Sequence, residues 1–564
     1  MSYDDAMPVQ TLRPSELARI ADRRWPKFPA ELAGEPARTR PRWLWAVGVI
    51  TALGLALRLY QLTRPGLLFG VPQYDDAVYL GSAVRLIGGS IPYRDFVFVQ
   101  PPGISLLLAP AAALSRLTGT DVGLAVARVM TACAGAASVP LCGLLVRWAG
   151  LVAVILACGI VAIHPDAAHA AQSIFLEPWL VLFTLLGALA AFDHGSLTTS
   201  KARLGWAGVA FGLACAIKIW AAVPALVMIA LLAPMRGRHA TARFLAGLAA
   251  AVAVTIGPFF VIAPRAFVED VVVAQLARVD LSRTGLAHRL GSLLGLTDLS
   301  LSNHTIIVAS VGLLTAVAGL SVIQWWPRAH RPLALEWFAL ICVAATLAMF
   351  LWPVDYYTHY AAFFVPFFAL AGSLCAGRLT ARVGSLLQAR QPASRLTSAL
   401  SVLLVLGLTL GVLEGAAVAR RHEAGLHGLS PPLAQAREIA SHACVLTDYP
   451  AYTLATNHYE SSAPNCSAMV DPIGTDYALS HGENALTGAG ANPAVVSAWL
   501  TAFRHAQYVW LACAPTPANT CDRSTSRRIP WTPTILRYLR GHFRPLVAGP
   551  RTSYLYVRRA ARHS

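Results

Sequence analysis

Charge is what this chain has least of: Asp, Glu, Lys and Arg make up only 13% of its 564 residues, against 56% hydrophobic. Such scarcity excludes a single soluble domain. The many apolar runs of bilayer length predict a polytopic α-helical membrane protein. Lysine is scarcer still. Of 45 basic residues only Lys27, Lys201 and Lys218 are lysine, and with abundant Ala, Arg and Gly this points to a GC-rich, actinobacterial type of genome rather than a functional choice of arginine. Phosphate-loop and dinucleotide fingerprints are absent, which argues against an ATP-driven pump or a nucleotide-sugar enzyme. No CxxC or Cys/His metal spacing occurs, and no cofactor is expected.

The ten cysteines fall into two groups. Cys133, Cys142, Cys158, Cys215, Cys342 and Cys375 lie in apolar segments and read as small packing residues. Cys444, Cys466, Cys513 and Cys521 lie in the polar C-terminal part, where a disulfide requires an oxidising compartment. Four cysteines allow three pairings. The preferred one joins Cys513 to Cys521, which flank a short Pro-containing loop.

The net charge of +17 raises the question of nucleic acid, and the placement of the charge answers it. Residues 1–42 hold seven arginines and no apolar core of signal-peptide type, so they read as a polar cytoplasmic tail. Apolar segments follow at about 43–62, 122–146, 151–163, 174–192, 204–217, 221–232, 244–262, 305–325, 335–352, 361–374 and 396–414. If the helix opened by Pro101-Pro102-Gly103 only lies along the surface, the connections alternate. One set carries Arg147, Lys201, Arg203, Arg236, Arg238, Arg243, Arg328, Arg331 and Arg378; the other carries the loop of residues 63–121, Lys218 and residues 264–304. Short basic connections belong inside. About eleven spans within residues 43–416 are therefore expected, with the first outer loop and an α/β domain of residues 417–564 outside the plasma membrane. The surplus arginine then meets anionic lipid heads, and nucleic acid is not needed.

Several polar features converge on the outer side in this topology. Asp75 and Asp76 follow the first span by about ten residues; alone, such a pair reads better as a solvated acidic turn or the cap of an interfacial helix. Tyr93-Arg94-Asp95 comes next, then Gln100-Pro101-Pro102-Gly103, Glu177 in Phe175-Leu176-Glu177-Pro178, Lys218 between two spans, and Asp355-Tyr356-Tyr357-Thr358-His359-Tyr360. Carboxylates and lysines at helix ends are costly against lipid, so together they predict one wet site. Two other signals take a plainer reading. His164-Pro165-Asp166 with His169 reads as a solvated cap, and Asp471-Pro472-Ile473-Gly474-Thr475-Asp476 as a turn.

An acidic pair after the first span, an amphipathic helix ending in Gly88-Gly89, Pro92-Tyr93-Arg94-Asp95, Pro101-Pro102-Gly103, and later Glu177-Pro178 and a Tyr/His-rich segment before Val365-Pro366-Phe367 together resemble the GT-C superfamily of polyprenyl-phosphate-sugar-dependent glycosyltransferases. The branch with protein O-mannosyltransferases and lipid A aminoarabinose transferases is the more similar, over roughly residues 43–375. The resemblance implies that Asp75 is the general base, that Asp76 supports the acceptor or its base, and that Glu177 is the acid of a later loop. Gln100 stands where relatives often carry Lys or His. Arg58, Tyr93, Arg94, Asp95, Gln100, Lys218, Tyr357 and His359 are the expected substrate and lipid-phosphate contacts, with Arg265, Arg278, Arg283 and Arg289 as further phosphate candidates. A carboxylate base attacking in line predicts inversion at the anomeric carbon. A divalent metal bridging Asp75, Asp76 and Glu177 is conceivable chemically, but the resemblance implies none. The expected partners are a polyprenyl-phosphate-linked sugar, a cell-envelope glycan, lipid or protein acceptor, and membrane lipids. A mannosyl- or arabinosyltransferase fits equally. The alternatives are a lipid-linked-sugar transporter or flippase, for which paired broken-helix repeats are missing, and a non-catalytic scaffold of the same fold.

Overall fold

In the computed structural model, which describes residues 42–279, 284–297, 299, 301–325, 331–353, 355–387, 407, 430–466, 469–512, 514–516, 529–548 and 553–560, the long apolar runs are helices. Among the described residues six helices are long and apolar enough to cross a membrane, and two shorter apolar ones accompany them. The first is α1 (Arg42–Leu62). After it, α2 (Tyr74–Ile87) begins at the extended residue Gln73, with Asp75 and Asp76 in its first turn and Arg85 in its last. Both placements suit the helix dipole.

The segment opened by Pro101 breaks at Leu108 into α3 (Gly103–Leu107) and α4 (Ala109–Thr118), and neither reaches bilayer length. Pro110 in the first turn of α4 explains the restart, because a proline lacks the amide that a continuous helix would use there. The bundle continues with α5 (Thr120–Val146), α6 (Leu151–Ile163), α7 (Glu177–Ala191) and a two-stranded hairpin, β1 (Phe192–Asp193) with β2 (Ser196–Leu197). Then come α8 (Lys201–Ile217) and α9 (Ala222–Thr255). The latter is two helices joined at Gly237, whose φ of 78° and ψ of 177° are non-helical. Only glycine takes that conformation readily, so the two expected spans 221–232 and 244–262 fall on the two sides of this turn. Helices α10 (Asn303–Gln324), α11 (Ala334–Leu351) and α12 (Ala361–Leu387) complete the bundle. The expected span 396–414 lies outside the described residues.

The C-terminal domain is built on a four-stranded sheet of order β3-β4-β6-β5, formed by β3 (Val445–Thr447), β4 (Tyr508–Leu511), β5 (Phe543–Ala548) and β6 (Tyr554–Arg558). The first pair is parallel and the others antiparallel. The sequence pattern suggests strands at 443–448, 507–513 and 552–558 but not β5, because Arg544 and Pro545 break its apolar run; as the sheet's edge it can hold a proline that a central strand could not. Helices α14 (Pro493–His505) and α15 (Pro533–His542) stand where the sequence pattern suggests helices at 493–506 and 533–543. Before them lies α13 (Pro472–Ser480), which the sequence reading took for a turn. Cys444 and Cys466 are joined by a disulfide; the preferred pair, Cys513 and Cys521, lies outside the described residues.

One apolar core fills the bundle, with Phe211, Phe244, Phe338, Phe363 and Phe367 buried among the helices. A second cluster matters more for function. It joins Ala77, Leu80 and Ala83 of α2 to Phe98 and Ile104, and to Tyr449, Leu454 and Tyr459 of the C-terminal domain. The acid-bearing helix is thus packed between the bundle and the domain.

Candidate active site

Helix α2 turns its first residues toward a cavity of about 430 Å³ whose wall is shared by the bundle, the loop of residues 99–100 and the C-terminal domain. Asp75 lies on that wall with Gln73, Tyr74 and Tyr79. It is half-buried, and no group among the described residues hydrogen-bonds its carboxylate. Burial, and then the charge of Asp471, push its carboxyl up to about 7, while Lys218 and Arg278 pull the other way and Glu177 adds to the rise. A carboxylate in this range is half-ionised near neutral pH, the condition that suits a general base.

Cations come from two other elements. Lys218 ends α8, at the negative end of the helix dipole, and Glu177 opens α7, at the positive end of its own. They form a buried ion pair, Nζ to Oε1 2.8 Å. The Lys218 ammonium also lies 3.4 Å from the Trp220 ring centroid and 4.7 Å from that of Tyr360, which keeps a cation favourable where water is scarce. Lys218 lines the cavity and Glu177 does not. Arg278 reaches the cavity from the segment after α9. Its guanidinium donates to Tyr357 Oη at 3.1 Å, sits 3.4 Å from Asp355 Oδ2 and lies 4.7 Å from the Tyr477 ring centroid. His359 stacks on Phe175 at 4.1 Å. The site therefore offers one unpaired carboxylate, two held cations and an aromatic wall, a set able to take a proton from a hydroxyl beside an anionic leaving group.

Residues 117–247, less than half of the chain, match the sequence profile of the dolichyl-phosphate-mannose-protein mannosyltransferase family. No curated protein sequence matches the chain. The structure superposes on ArnT from Cupriavidus metallidurans bound to undecaprenyl phosphate with a TM-score of 0.52 and 15% identity, over 93% of this chain and 99% of that one. For ArnT in the apo state the TM-score is 0.51 at 16% identity, over 92% and 98%. The chain has the GT-C fold.

On this GT-C scaffold the expected site residues divide. Asp75, Gln100, Lys218, Tyr357 and His359 line the cavity. Asp76 does not. Adjacent helical residues point about 100° apart, and Asp76 turns away into the protein, where Arg128 and the Ile174 amide take its oxygens. Both members of this pair are fully buried, and Arg128 also donates to the carbonyls of Leu67, Leu68 and Gly70 at 2.6, 2.7 and 3.0 Å. The residue expected to support the acceptor is a clamp between α2, α5 and the loop before α2. Arg58 likewise lies inside the bundle, donating to Gly54, Ala162 and Val161 carbonyls. Tyr93, at φ 69°, gives its hydroxyl to the Gln100 carbonyl at 2.6 Å and packs on Phe267. Arg94 and Asp95 pair with each other on the surface, where the Asp95 carboxylate also accepts the Ile91 amide. None of these four touches the cavity. Of the described loop arginines only Arg278 reaches it; Arg265 pairs with Glu269, Arg289 holds carbonyls of residues 284, 350 and 353, and Arg283 lies outside the described residues.

The cavity also holds Asp471 of the C-terminal domain, read from the sequence as part of a turn, and Tyr449, Tyr477 and Asn484, to which the sequence reading assigned no role. One signal was present. Asp471-Pro472 is an N-cap followed by a proline in the first helical turn, and Asp471 does cap α13, accepting the Gly474 amide at 2.8 Å.

Proposed function

We propose that the protein is a membrane glycosyltransferase that moves a sugar from a polyprenyl phosphate to a cell-envelope hydroxyl on the outer face of the plasma membrane, with inversion and with Asp75 as general base. The observation that carries this reading is the Asp75 carboxylate: unpaired among the described residues, raised to about 7, and sharing one cavity with Lys218 and Arg278. A structural carboxylate is normally saturated with hydrogen bonds. One left open beside two cations is arranged for a ligand.

The chemistry follows from the residues. The acceptor hydroxyl loses its proton to Asp75 as its oxygen attacks the anomeric carbon from the face opposite the phosphate, so the C–O bond to the phosphate breaks and the configuration inverts. Charge grows on the departing lipid phosphate, and Lys218 and Arg278 steady it, their orientation set beforehand by Glu177 and by Asp355 with Tyr357. The likeness in fold to an ArnT bound to undecaprenyl phosphate supports a polyprenyl phosphate as the carrier. The charge distribution of the loops supports the outward orientation.

The test uses membranes containing the wild-type chain or Asp75→Asn, radiolabelled polyprenyl-phosphate sugars offered one at a time, and a cell-envelope extract as acceptor. Transfer from one donor, lost in Asp75→Asn at equal expression, is the expected result and names the sugar. Transfer untouched by the substitution removes Asp75 as base; transfer from no donor removes the transferase reading.

A further inference from the structure

The C-terminal domain grips the helix that bears Asp75 along its length. At its start, the Tyr74 hydroxyl donates to Asp471 Oδ1 at 2.8 Å and accepts the Ile473 amide at 3.0 Å, so the phenol is seated in the N-terminus of α13. The Tyr449 hydroxyl donates to the Val71 carbonyl at 2.9 Å, three residues earlier. In the middle, Gly81 faces the Tyr459 ring so closely that a Cβ there would meet the Tyr459 hydroxyl at 2.4 Å. At the end, the Arg85 guanidinium lies 5.3 Å from the same ring's centroid. A soluble domain merely tethered to a bundle has no need of three contacts on one fourteen-residue helix, and the first of them is the residue before the base.

We propose that the C-terminal domain is part of the catalytic apparatus: through Asp471, Tyr74 and the Gly81–Tyr459 contact it fixes the first turn of α2, and so the position of Asp75. Asp471 and Tyr74 are positioning residues. The inference rests on the reading of Asp75 as base. A base displaced by an ångström loses much of its effect, and a helix start is the part of a helix that frays first. The charge of Asp471 has a second consequence. It faces Asp75 across the cavity, with Arg278 opposing it and Tyr74, Asp270 and Asp476 as its other ionisable neighbours; Asp75 in turn is faced by Lys218, Glu177, Tyr79 and Tyr360.

The experiment takes the full chain, purified in nanodiscs, as wild type, Tyr74→Phe, Gly81→Leu, Asp471→Asn and the exposed control Arg437→Gln. Hydrogen exchange of the amides of residues 75–81 needs no substrate. It should quicken by about tenfold in Tyr74→Phe and Gly81→Leu and stay put in the control. Turnover in these two variants should fall by about 10- to 100-fold with the donor KM within about twofold of wild type. Asn at 471 still caps α13 and still accepts from Tyr74, so Asp471→Asn should keep the slow exchange. It should instead move the acid limb of the rate to lower pH by about one unit, the size of one like charge nearby. Unchanged exchange in Tyr74→Phe and Gly81→Leu overturns the grip, and quickened exchange with unchanged turnover overturns its catalytic role. Should the wild type transfer no sugar, the proposed function falls, and the exchange result alone decides whether the domain holds α2.

Discussion

Asp75 turns an open carboxylate into the cavity, whereas Asp76, one residue on, spends both oxygens on Arg128 and the Ile174 amide. The two acids share a helical turn and a residue type, yet their surroundings are opposite: a wet wall with cations held in reserve, and a dry joint in which both carboxylate oxygens are taken. Helix geometry makes this division unavoidable, since residues i and i+1 cannot face the same way. The lesson is that an acidic pair on a helix start is two sites. A group kept for chemistry is left unsatisfied by the protein, and a group kept for architecture is paired.

Asp75→Asn is the sharpest way to probe that contrast and should show the largest effect on rate. Loss of a general base lowers turnover by about 10²- to 10⁴-fold, measured as initial rate of transfer at pH 8. Stability should hold or rise. A carboxyl raised in the folded state binds its proton more tightly folded than unfolded, so its stabilising contribution is complete below the unfolded value of about 3.9 and disappears as pH climbs toward 7. At pH 8 the asparagine therefore removes a liability, and a Tm below wild type would contradict the open-carboxylate description.

Asp76→Asn should reverse the pattern. Leaving a buried arginine without its counter-ion costs about 3–5 kcal/mol, read as a large fall in Tm or in the yield of folded protein. The molecules that do fold keep the base itself, so their turnover should fall by no more than the about 10- to 100-fold expected when the start of α2 is loosened. A folded, stable Asp76→Asn protein that has lost transfer would return Asp76 to the chemistry.

Lys218→Met tests the cation side. Removing one group that steadies developing charge lowers turnover by about 10²-fold, and Glu177→Gln, which leaves the lysine in place but without its partner, should cost less. If Glu177→Gln proves the more damaging of the two, Glu177 has a role of its own beyond holding Lys218.

How much of this was legible beforehand follows from the same physics. Apolar run length exposed the bundle, because a bilayer demands it, and the Asp75 stretch stood out because ionised groups near apolar spans are costly. The burial of Asp76 was hidden, since its partner Arg128 lies in the middle of an apolar helix 52 residues away and nothing local announces the pair. Arg58 misled for the same reason: backbone carbonyls of α1 and α6 satisfy it, and carbonyl partners leave no mark in a sequence. The C-terminal share of the cavity was concealed by distance, Tyr74 and Asp471 being 397 residues apart. An Asp-Pro helix start says where a helix begins, never what leans on it.

The smallest expected effect belongs to Arg94→Ala, and its smallness is informative. Arg94 follows Tyr93 in the segment whose resemblance to known motifs suggested a substrate contact, but its guanidinium is on the surface and, among the described residues, answers only to Asp95. An exposed pair of neighbouring residues is screened by water and salt. The substitution should leave Tm, turnover and donor KM unchanged within error. Tyr93→Phe should differ from it, because the lost phenol frees the Gln100 carbonyl at 2.6 Å and loosens a loop whose next side chain lines the cavity. A raised donor KM in Tyr93→Phe with no effect in Arg94→Ala would place the value of this motif in the shape it gives the Gln100 loop. A raised KM in Arg94→Ala would instead mean that the donor extends beyond the cavity onto the surface turn.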